Sequence, residues 1–197
     1  MTCVAIIPAR GGSRRIPGKN TRDFRGRPIL EYSILAAKET GIFTRIIVST
    51  DDSFAASCAY RMGADVMWRP DALAKDSVGT QEVAAHVLLE AKSHFGIPPP
   101  LYACCIYATS PLMDYLDLLL GYYNLRCYGK PFVYTIGRDG QDAGQWYWGT
   151  VEAFSKGVSL DEGRRYVLPS TRVCDINTEE DWQRAEQMYD QLHKDDK

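Results

Sequence analysis

Residues 3–20, which read C-V-A-I-I-P-A-R-G-G-S-R-R-I-P-G-K-N, decide the fold. The apolar run at residues 3–7 is typical of a buried strand, and it passes directly into a glycine-containing basic loop. Within ten positions this loop carries four cationic side chains, namely Arg10, Arg14, Arg15 and Lys19. Glycine lets backbone N–H groups approach an anion, and α/β sheets bind phosphorylated ligands at the carboxyl end of such a strand. The stretch therefore predicts a phosphate-binding loop.

The spacing of this basic loop excludes two familiar nucleotide-binding motifs. It matches neither the Walker A loop nor the G-x-G-x-x-G fingerprint, which argues against an ATPase or a dehydrogenase. A solvated basic loop at a strand end is the alternative, and Arg15 in particular can simply face water.

Strand and helix patterns alternate along the chain with short connections, which predicts an α/β fold with a mostly parallel sheet. The predicted strands cover residues 3–7, 45–49, 64–68, 101–107 and 131–136. The predicted helices cover residues 29–40, 52–62, 81–95, 114–127 and 179–192. The run at 101–107 is the most hydrophobic strand and is expected at the centre of the sheet. Thr80 is the expected N-cap of the third helix, and Thr178 with Asp181 forms a capping-box pattern before the last.

Size and composition bound the class of protein. A chain of 197 residues predicts a single domain, 1–197, with one substantial core. The net charge of −2 argues against a general nucleic-acid binder, since the positive charge is concentrated locally. No apolar run is long enough to cross a bilayer, and no signal-like segment opens the chain. We therefore expect a cytoplasmic protein that does not bind a membrane. The six scattered cysteines predict reduced thiols.

Five segments in order carry a family resemblance. They are residues 6–20 (I-I-P-A-R-G-G-S-R-R-I-P-G-K-N), 47–52 (I-V-S-T-D-D), 69–73 (R-P-D-A-L), 107–112 (Y-A-T-S-P-L) and 175–182 (D-I-N-T-E-E-D-W). The set resembles the cytidylyltransferases that activate nonulosonic, sialic-acid-like sugars as CMP-sugars. A sixth segment, D-A-G-Q-W-Y-W-G at 142–149, looks most like the pseudaminic acid branch. The resemblance implies a Rossmann-like nucleotidyltransferase fold with helices on both sheet faces, CTP and a nonulosonic acid as substrates, Mg²⁺ as cofactor, and a homodimer.

The same resemblance implies a nucleotide site. Arg10, Arg14 and Lys19 are expected to contact the triphosphate as catalytic residues, with Asn20 near the ribose or base. Further nucleotide-binding positions are implied at Ala9, Gly11, Gly12, Ser13, Arg69, Asp76, Thr80, Thr109 and Ser110. Two alternatives stay open at this stage. Arg69 can be a surface residue before a proline-fixed turn, and 109–110 can be a polar turn before a helix that starts at Pro111.

The metal site depends on two alternating positions. The family pattern is Asp-x-Asp, whereas this chain has Asp175-Ile176-Asn177. Positions i and i+2 of an extended segment face the same way, so Asp175 and Asn177 are the candidate Mg²⁺ ligands, with Asp175 also catalytic. An amide brings no charge, so Asn177 is expected to weaken the metal site, and its alternative is a turn residue. Asp51 is a poorer ligand candidate and is expected to cap a helix.

Asp142, Gln145 and Tyr147 are the candidate sugar-binding residues, again by resemblance. Their alternative is a core strand that carries Trp146 and Trp148. Relatives usually have a longer excursion near residues 137–150, which crosses to a second subunit and helps to close its sugar pocket. Only residues 137–141 make the connection here, so either the excursion is absent or the sequence omits a disordered stretch.

These observations predict transfer of CMP from CTP to the anomeric hydroxyl of a nonulosonic acid, with pseudaminic acid preferred. Three alternatives remain. The first is a cytidylyltransferase for another acid, such as N-acetylneuraminic acid, legionaminic acid or KDO. The second is a nucleotide-binding homologue that has lost catalysis, and the third is a pyrophosphorylase for UTP or GTP.

Overall fold

The computed structural model describes residues 2–96 and 100–194. Its strands, in chain order, are β1 (Cys3–Pro8), β2 (Asp23–Phe24), β3 (Arg27–Pro28), β4 (Phe43–Thr50), β5 (Asp65–Trp68), β6 (Tyr102–Ile106), β7 (Phe132–Ile136), β8 (Asp142–Thr150) and β9 (Arg164–Val167). Its α-helices are α1 (Ile29–Glu39), α2 (Ser53–Arg61), α3 (Thr80–Phe95), α4 (Tyr115–Tyr128), α5 (Val151–Lys156) and α6 (Glu179–Leu192).

Seven strands form the central sheet in the order β5-β4-β1-β6-β8-β7-β9. The pairs β1–β4, β1–β6, β4–β5 and β7–β9 are parallel, whereas β8 runs antiparallel to both β6 and β7. The predicted α/β fold with a mostly parallel sheet is confirmed, and β6 lies at its centre as expected. The carboxyl ends of β1, β4 and β6 therefore meet at one edge, where parallel sheets place their ligands.

Helices cover both faces of the sheet. Alternate residues of β1 enter different cores, since Ile7 packs in the cluster with α1, α2 and α4 while Ile6 packs in the cluster with α3 and α5. Both isoleucine side chains are fully buried. The sheet is therefore the middle layer of three, and β1 is buried on both sides.

A third cluster fastens the basic loop to the rest of the fold. Ile16, within that loop, is fully buried against Phe24 and Trp182 of α6. The phenol of Tyr32 donates a hydrogen bond of 2.6 Å to the Phe24 carbonyl. The loop is thus anchored by an apolar side chain at its middle, so its cations project from a fixed backbone.

Several element boundaries differ from the sequence-based predictions. Thr80 is the first residue of α3 and does not cap it; Gly79 holds the N-cap position without a side-chain bond. The N-cap of α2 is Asp52 rather than Asp51. The helix α4 begins at Tyr115, after its N-cap Asp114, so no helix starts at Pro111. The helix α5 and the strand β9 were not predicted. Across residues 2–96 and 100–194, no helix has the length and apolar character needed to cross a membrane.

Candidate active site

A cleft of about 450 Å³ lies at the carboxyl ends of β1 and β6. Ten of the predicted site residues line it, namely Arg10, Ser13, Arg14, Lys19, Asn20, Arg69, Asp76, Thr80, Thr109 and Asn177. Eight others do not line it directly, namely Ala9, Gly11, Gly12, Ser110, Asp142, Gln145, Tyr147 and Asp175. The fold therefore gathers residues from distant parts of the chain into one strongly basic cavity.

The start of the basic loop is fixed against the end of β4. The backbone N–H of Gly11 donates to Asp51 Oδ1 at 2.8 Å, and Thr50 Oγ1 donates to the Ala9 carbonyl at 2.6 Å. A Cβ atom at Gly11 would lie 2.8 Å from Asp52 Oδ2, so only glycine fits here. Because Asp51 already engages the Gly11 N–H, that group is not directed at a ligand. Asp51 holds the loop rather than capping α2, which corrects the prediction for this residue.

Lys19 joins the loop to the carboxylate segment. Its Nζ donates a 2.7 Å hydrogen bond to the Ile176 carbonyl, between Asp175 and Asn177 in sequence. Burial lowers the pKa of the Lys19 amine, and the nearby Asp175 charge opposes this shift. Asn20 Nδ2 donates to the Arg10 carbonyl at 2.8 Å, which braces the loop from within.

Arg10 and Arg14 are both paired with Asp76. Arg14 Nε lies 2.9 Å from Asp76 Oδ2, and Arg10 Nη1 pairs with Asp76 Oδ1. The hydrogen bond from Arg10 lowers the pKa of the Asp76 carboxyl. Arg14 is largely exposed, whereas Arg10 is only 32% exposed. An acidic side chain thus lies among the cations that were predicted to hold the triphosphate.

Arg69 is buried, so the alternative that it is a surface arginine is wrong. Its Nη2 donates to the Ser49 carbonyl at 2.8 Å, and its backbone N–H donates to the Thr50 carbonyl at 2.8 Å. Burial lowers the pKa of the guanidinium. Arg69 therefore supplies a fixed positive charge to the lining of the cleft, to which Thr80 and Thr109 also contribute.

Asp175 and Asn177 lie side by side at the rim of the cleft. Asn177 Nδ2 donates to Asp175 Oδ2 at 2.5 Å, as expected for positions that share a side of an extended segment. The Asn177 N–H also donates to Asp181 Oδ2 at 3.0 Å, so the capping box of α6 fixes this segment. Asp175 is exposed and Asn177 reaches into the cleft. Two oxygen-bearing side chains thus lie next to the amine of Lys19.

The predicted sugar-binding wall is largely interior. Gln145 is 3% exposed, and its Nε2 bonds the Arg172 carbonyl. Tyr147 is 1% exposed and packs in the core, with its hydroxyl 3.0 Å from Thr80 Oγ1. Of the three candidates only Asp142 is exposed. Residues on both faces of β8 are buried, because layers of the fold cover each face. The interpretation as a core strand fits Gln145 and Tyr147.

Two contacts at the site were not predicted from sequence. Ser110, predicted as a nucleotide-binding residue, is buried, and its hydroxyl donates a 3.0 Å hydrogen bond to the Gly144 carbonyl. Gly144 in turn lies against the Asp175 side chain. A glycine within a strand pattern indicates a bulge or a close approach of the backbone to another group. Applied to the glycine of the D-A-G-Q segment, this rule could have predicted the close approach of Gly144.

A family model described as Cytidylyltransferase matches residues 4–137. The chain belongs to the cytidylyltransferase family. It is 30% identical to the pseudaminic acid cytidylyltransferase of Campylobacter jejuni serotype O:23/36, in an alignment of 231 positions that covers 98% of this chain and 99% of that protein. The sequence-based predictions of the family and of a CTP-dependent nucleotidyltransferase are thereby confirmed.

Solved structures support the same fold. This cytidylyltransferase superposes on CMP:2-keto-3-deoxy-manno-octonic acid synthetase complexed with CTP with a TM-score of 0.76, at 13% identity and with 98% of this chain and 100% of that chain covered. A Mycobacterium tuberculosis protein, Rv0371c, in complex with manganese gives a TM-score of 0.66 at 16% identity, covering 95% and 99% of the two chains. At these identities the likeness concerns the fold.

Proposed function

We propose that this cytidylyltransferase transfers CMP from CTP to the anomeric hydroxyl of a nonulosonic acid, with pseudaminic acid as the preferred sugar. The observation that carries the proposal is full-length similarity to a pseudaminic acid cytidylyltransferase, combined with a basic cleft at the carboxyl ends of β1 and β6. In the reaction the sugar hydroxyl attacks the α-phosphorus of CTP and a new phosphorus–oxygen bond forms. The bond from the α-phosphorus to the oxygen that bridges to the β-phosphate breaks, pyrophosphate leaves, and the proton of the hydroxyl passes to water.

The basic loop would hold the triphosphate. Catalysis of phosphoryl and nucleotidyl transfer depends mainly on positioning and on neutralisation of charge. Lys19 is anchored at the Ile176 carbonyl, so its charge lies between the loop and the carboxylate segment. Arg10 and Arg14 can exchange the carboxylate of Asp76 for phosphate oxygens, since both are anionic hydrogen-bond acceptors. Arg69, which also lines the cleft, would add positive charge there.

A divalent cation fits beside this loop. Asp175 and Asn177 both carry hard oxygen atoms and lie together, with Asn177 Nδ2 donating to Asp175 Oδ2 at 2.5 Å. Mg²⁺ typically takes one or two carboxylates with phosphate oxygens and water. Within residues 2–96 and 100–194 there is no group of three or more acidic, histidine or cysteine ligands, so the nucleotide would complete the shell. The ion would neutralise charge on the phosphates. The manganese complex of the similarly folded M. tuberculosis protein supports a divalent metal, and Mg²⁺ is our proposal for this chain.

We also propose a single domain, 1–197, that lacks the long excursion. The connection from β7 to β8 is closed by hydrogen bonds from Gly137 N to the Gln141 carbonyl at 2.8 Å and from Gly140 N to the Gly137 carbonyl at 3.0 Å. The alignment with the C. jejuni protein spans 231 positions, more than the 197 residues of this chain, so some positions of that protein have no counterpart here. Asp142 at this hairpin remains a candidate sugar contact. We also propose that the protein forms a homodimer, as the family resemblance implies, and light scattering would test this.

Pyrophosphate release tests the function. Wild-type protein with CTP and Mg²⁺ is incubated with pseudaminic acid, N-acetylneuraminic acid, legionaminic acid or KDO, and in parallel with UTP or GTP in place of CTP. We expect the fastest release with CTP and pseudaminic acid. Faster release with another sugar would show that pseudaminic acid is not the preferred substrate. Faster release with UTP or GTP than with CTP would overturn the proposal.

Asn177 favours a second candidate, a nucleotide-binding homologue with weakened catalysis. Its amide stands where the family pattern has a carboxylate, so the site has one negative charge fewer for the metal. CTP binding without pyrophosphate release at saturating Mg²⁺ would favour this candidate. Restored turnover in Asn177→Asp would then locate the defect in the metal site.

A further inference from the structure

An irregularity in β8 lies beside the carboxylate segment. Tyr134 pairs with Tyr147 and Ile136 with Asp142, so two steps along β7 correspond to five steps along β8. The extra residues form a bulge that contains Gly144, whose φ is +62°. Bulges near active sites redirect the chain, and this one brings the backbone of Gly144 up to Asp175.

The backbone of Gly144 is held from two directions. Its N–H donates to Asp142 Oδ1 at 2.9 Å, and its carbonyl accepts from Ser110 Oγ at 3.0 Å. Ser110 is 3% exposed and follows the central strand β6. The bulge is therefore tied to the same segment that lines the cleft, and its position is defined by side chains on both sides.

Asp175 rests directly on this glycine. A Cβ atom at position 144 would lie 2.9 Å from Asp175 Oδ1 and 3.0 Å from its Cγ, closer than a side chain tolerates. The other carboxylate oxygen, Oδ2, accepts from Asn177 Nδ2. The carboxylate is thus placed between the bare backbone of Gly144 and the amide of Asn177.

We propose that Gly144 is a positioning residue for the metal, because the absence of a side chain there sets where the Asp175 carboxylate lies. This rests on the proposed function. Mg²⁺ requires near-ideal octahedral geometry, so a displaced carboxylate loses its place in the shell. The bulge in the D-A-G-Q segment thereby serves the metal end of the site, while Asp142 at its start remains a candidate sugar contact.

The test compares Gly144→Ala with Gly129→Ala. Gly129 has φ +61° and open space around a Cβ atom, so both alanines meet the same backbone strain but only one meets Asp175. Mn²⁺ binding to the CTP complex is measured by electron paramagnetic resonance of the free ion, without sugar and without turnover. We expect Gly144→Ala to weaken Mn²⁺ binding about tenfold or more relative to Gly129→Ala, with similar melting temperatures and similar metal-free CTP binding.

A second variant, Asp142→Ala, removes the hydrogen bond to the Gly144 N–H, and its control Asp142→Asn removes the same charge but keeps an acceptor oxygen. Asp142→Ala should weaken Mn²⁺ binding more than Asp142→Asn does, by a smaller factor than Gly144→Ala, and this comparison decides the matter if Gly144→Ala does not fold. Equal Mn²⁺ affinity in Gly144→Ala and Gly129→Ala, or equal affinity in Asp142→Ala and Asp142→Asn, would overturn the inference. A wild-type protein that neither binds Mn²⁺ with CTP nor releases pyrophosphate would instead overturn the proposed function.

Discussion

At the scale of single residues, Lys19 connects the phosphate-binding loop to the metal end of the site. Its amine is 2.7 Å from the Ile176 carbonyl and is partly desolvated, so its charge has a fixed place. Arg15, four positions earlier, is exposed at the rim. Charge held in place stabilises a transition state more than charge on a mobile side chain, since no reorganisation is needed.

We therefore expect Lys19→Met to reduce kcat for CMP-sugar formation by about 10²–10³-fold, the size of loss seen when one fixed stabilising donor is removed. Arg15→Ala is the control and should stay within a few-fold of wild type. Pyrophosphate release at saturating CTP measures both. Unchanged turnover in Lys19→Met would remove this residue from the phosphate site.

Asp76 competes with phosphate for Arg10 and Arg14. Since the pairs are partly solvent-exposed, each contributes little, and Asp76→Asn should tighten CTP binding by roughly two- to fivefold. Isothermal titration calorimetry with CTP measures the change. Weaker binding would show instead that Asp76 orients the arginines or contacts the nucleotide itself.

At the scale of elements, the capping box of α6 stabilises both the helix and the carboxylate segment. Asp181 Oδ2 accepts from the N–H groups of Asn177 and Thr178, each at 3.0 Å, while Thr178 Oγ1 accepts from the Asp181 N–H at 3.2 Å. Burial alone would raise the pKa of Asp181, but the hydrogen bonds from Asn177 and Thr178 lower it below the ordinary 3.8.

Loss of the cap should cost about 1 kcal/mol of unfolding free energy at pH 7, as measured by urea denaturation of Thr178→Ala.

Because the pKa of Asp181 is lower in the folded protein, the ionised Asp181 stabilises the fold fully above pH 3.8, and this stabilisation is lost as the pH falls through the folded pKa. The stability difference between wild type and Asp181→Asn should therefore shrink below pH 3.8. A difference that is constant with pH would contradict this assignment.

Sequence patterns predicted the elements whose evidence is local. The run at 3–7 and the Thr178–Asp181 cap need only neighbouring residues to be interpreted. By contrast α5 has only six residues, and β9 is a four-residue edge strand without a buried residue, so neither gives a periodic pattern. Within the site, the cleft residues followed from the family resemblance. The ion pairs of Asp76 with two arginines of the basic loop, and the packing of Asp175 against Gly144, are contacts between distant segments. No local sequence pattern contains such contacts.

At the scale of the whole molecule, α4 approaches the sheet closely through one glycine. A Cβ atom at Gly121 would overlap the ring of Trp146 and lie 2.9 Å from Cδ1 of Trp148, and both indoles are buried. Alanine normally stabilises a helix relative to glycine, but here the overlap dominates because close-packed cores cannot absorb an added methyl group.

Gly121→Ala should lower the free energy of unfolding by about 1–3 kcal/mol, the usual cost of overpacking. Leu120→Ala on the exposed side of the same helix is the control and should change stability by about 0.5 kcal/mol or less. Urea denaturation at pH 7 measures both. A stabilised Gly121→Ala protein would show that α4 packs less tightly than described.

The central claim is that the loop after β1 holds the triphosphate of CTP, and a crystal structure with CTP and Mg²⁺ tests it most directly. The account predicts phosphate oxygens within hydrogen-bond distance of Arg10 and Lys19, with the carboxylate of Asp76 displaced from Arg10. A nucleotide bound outside this cleft, or bound while Arg10 and Arg14 remain paired with Asp76, would contradict it.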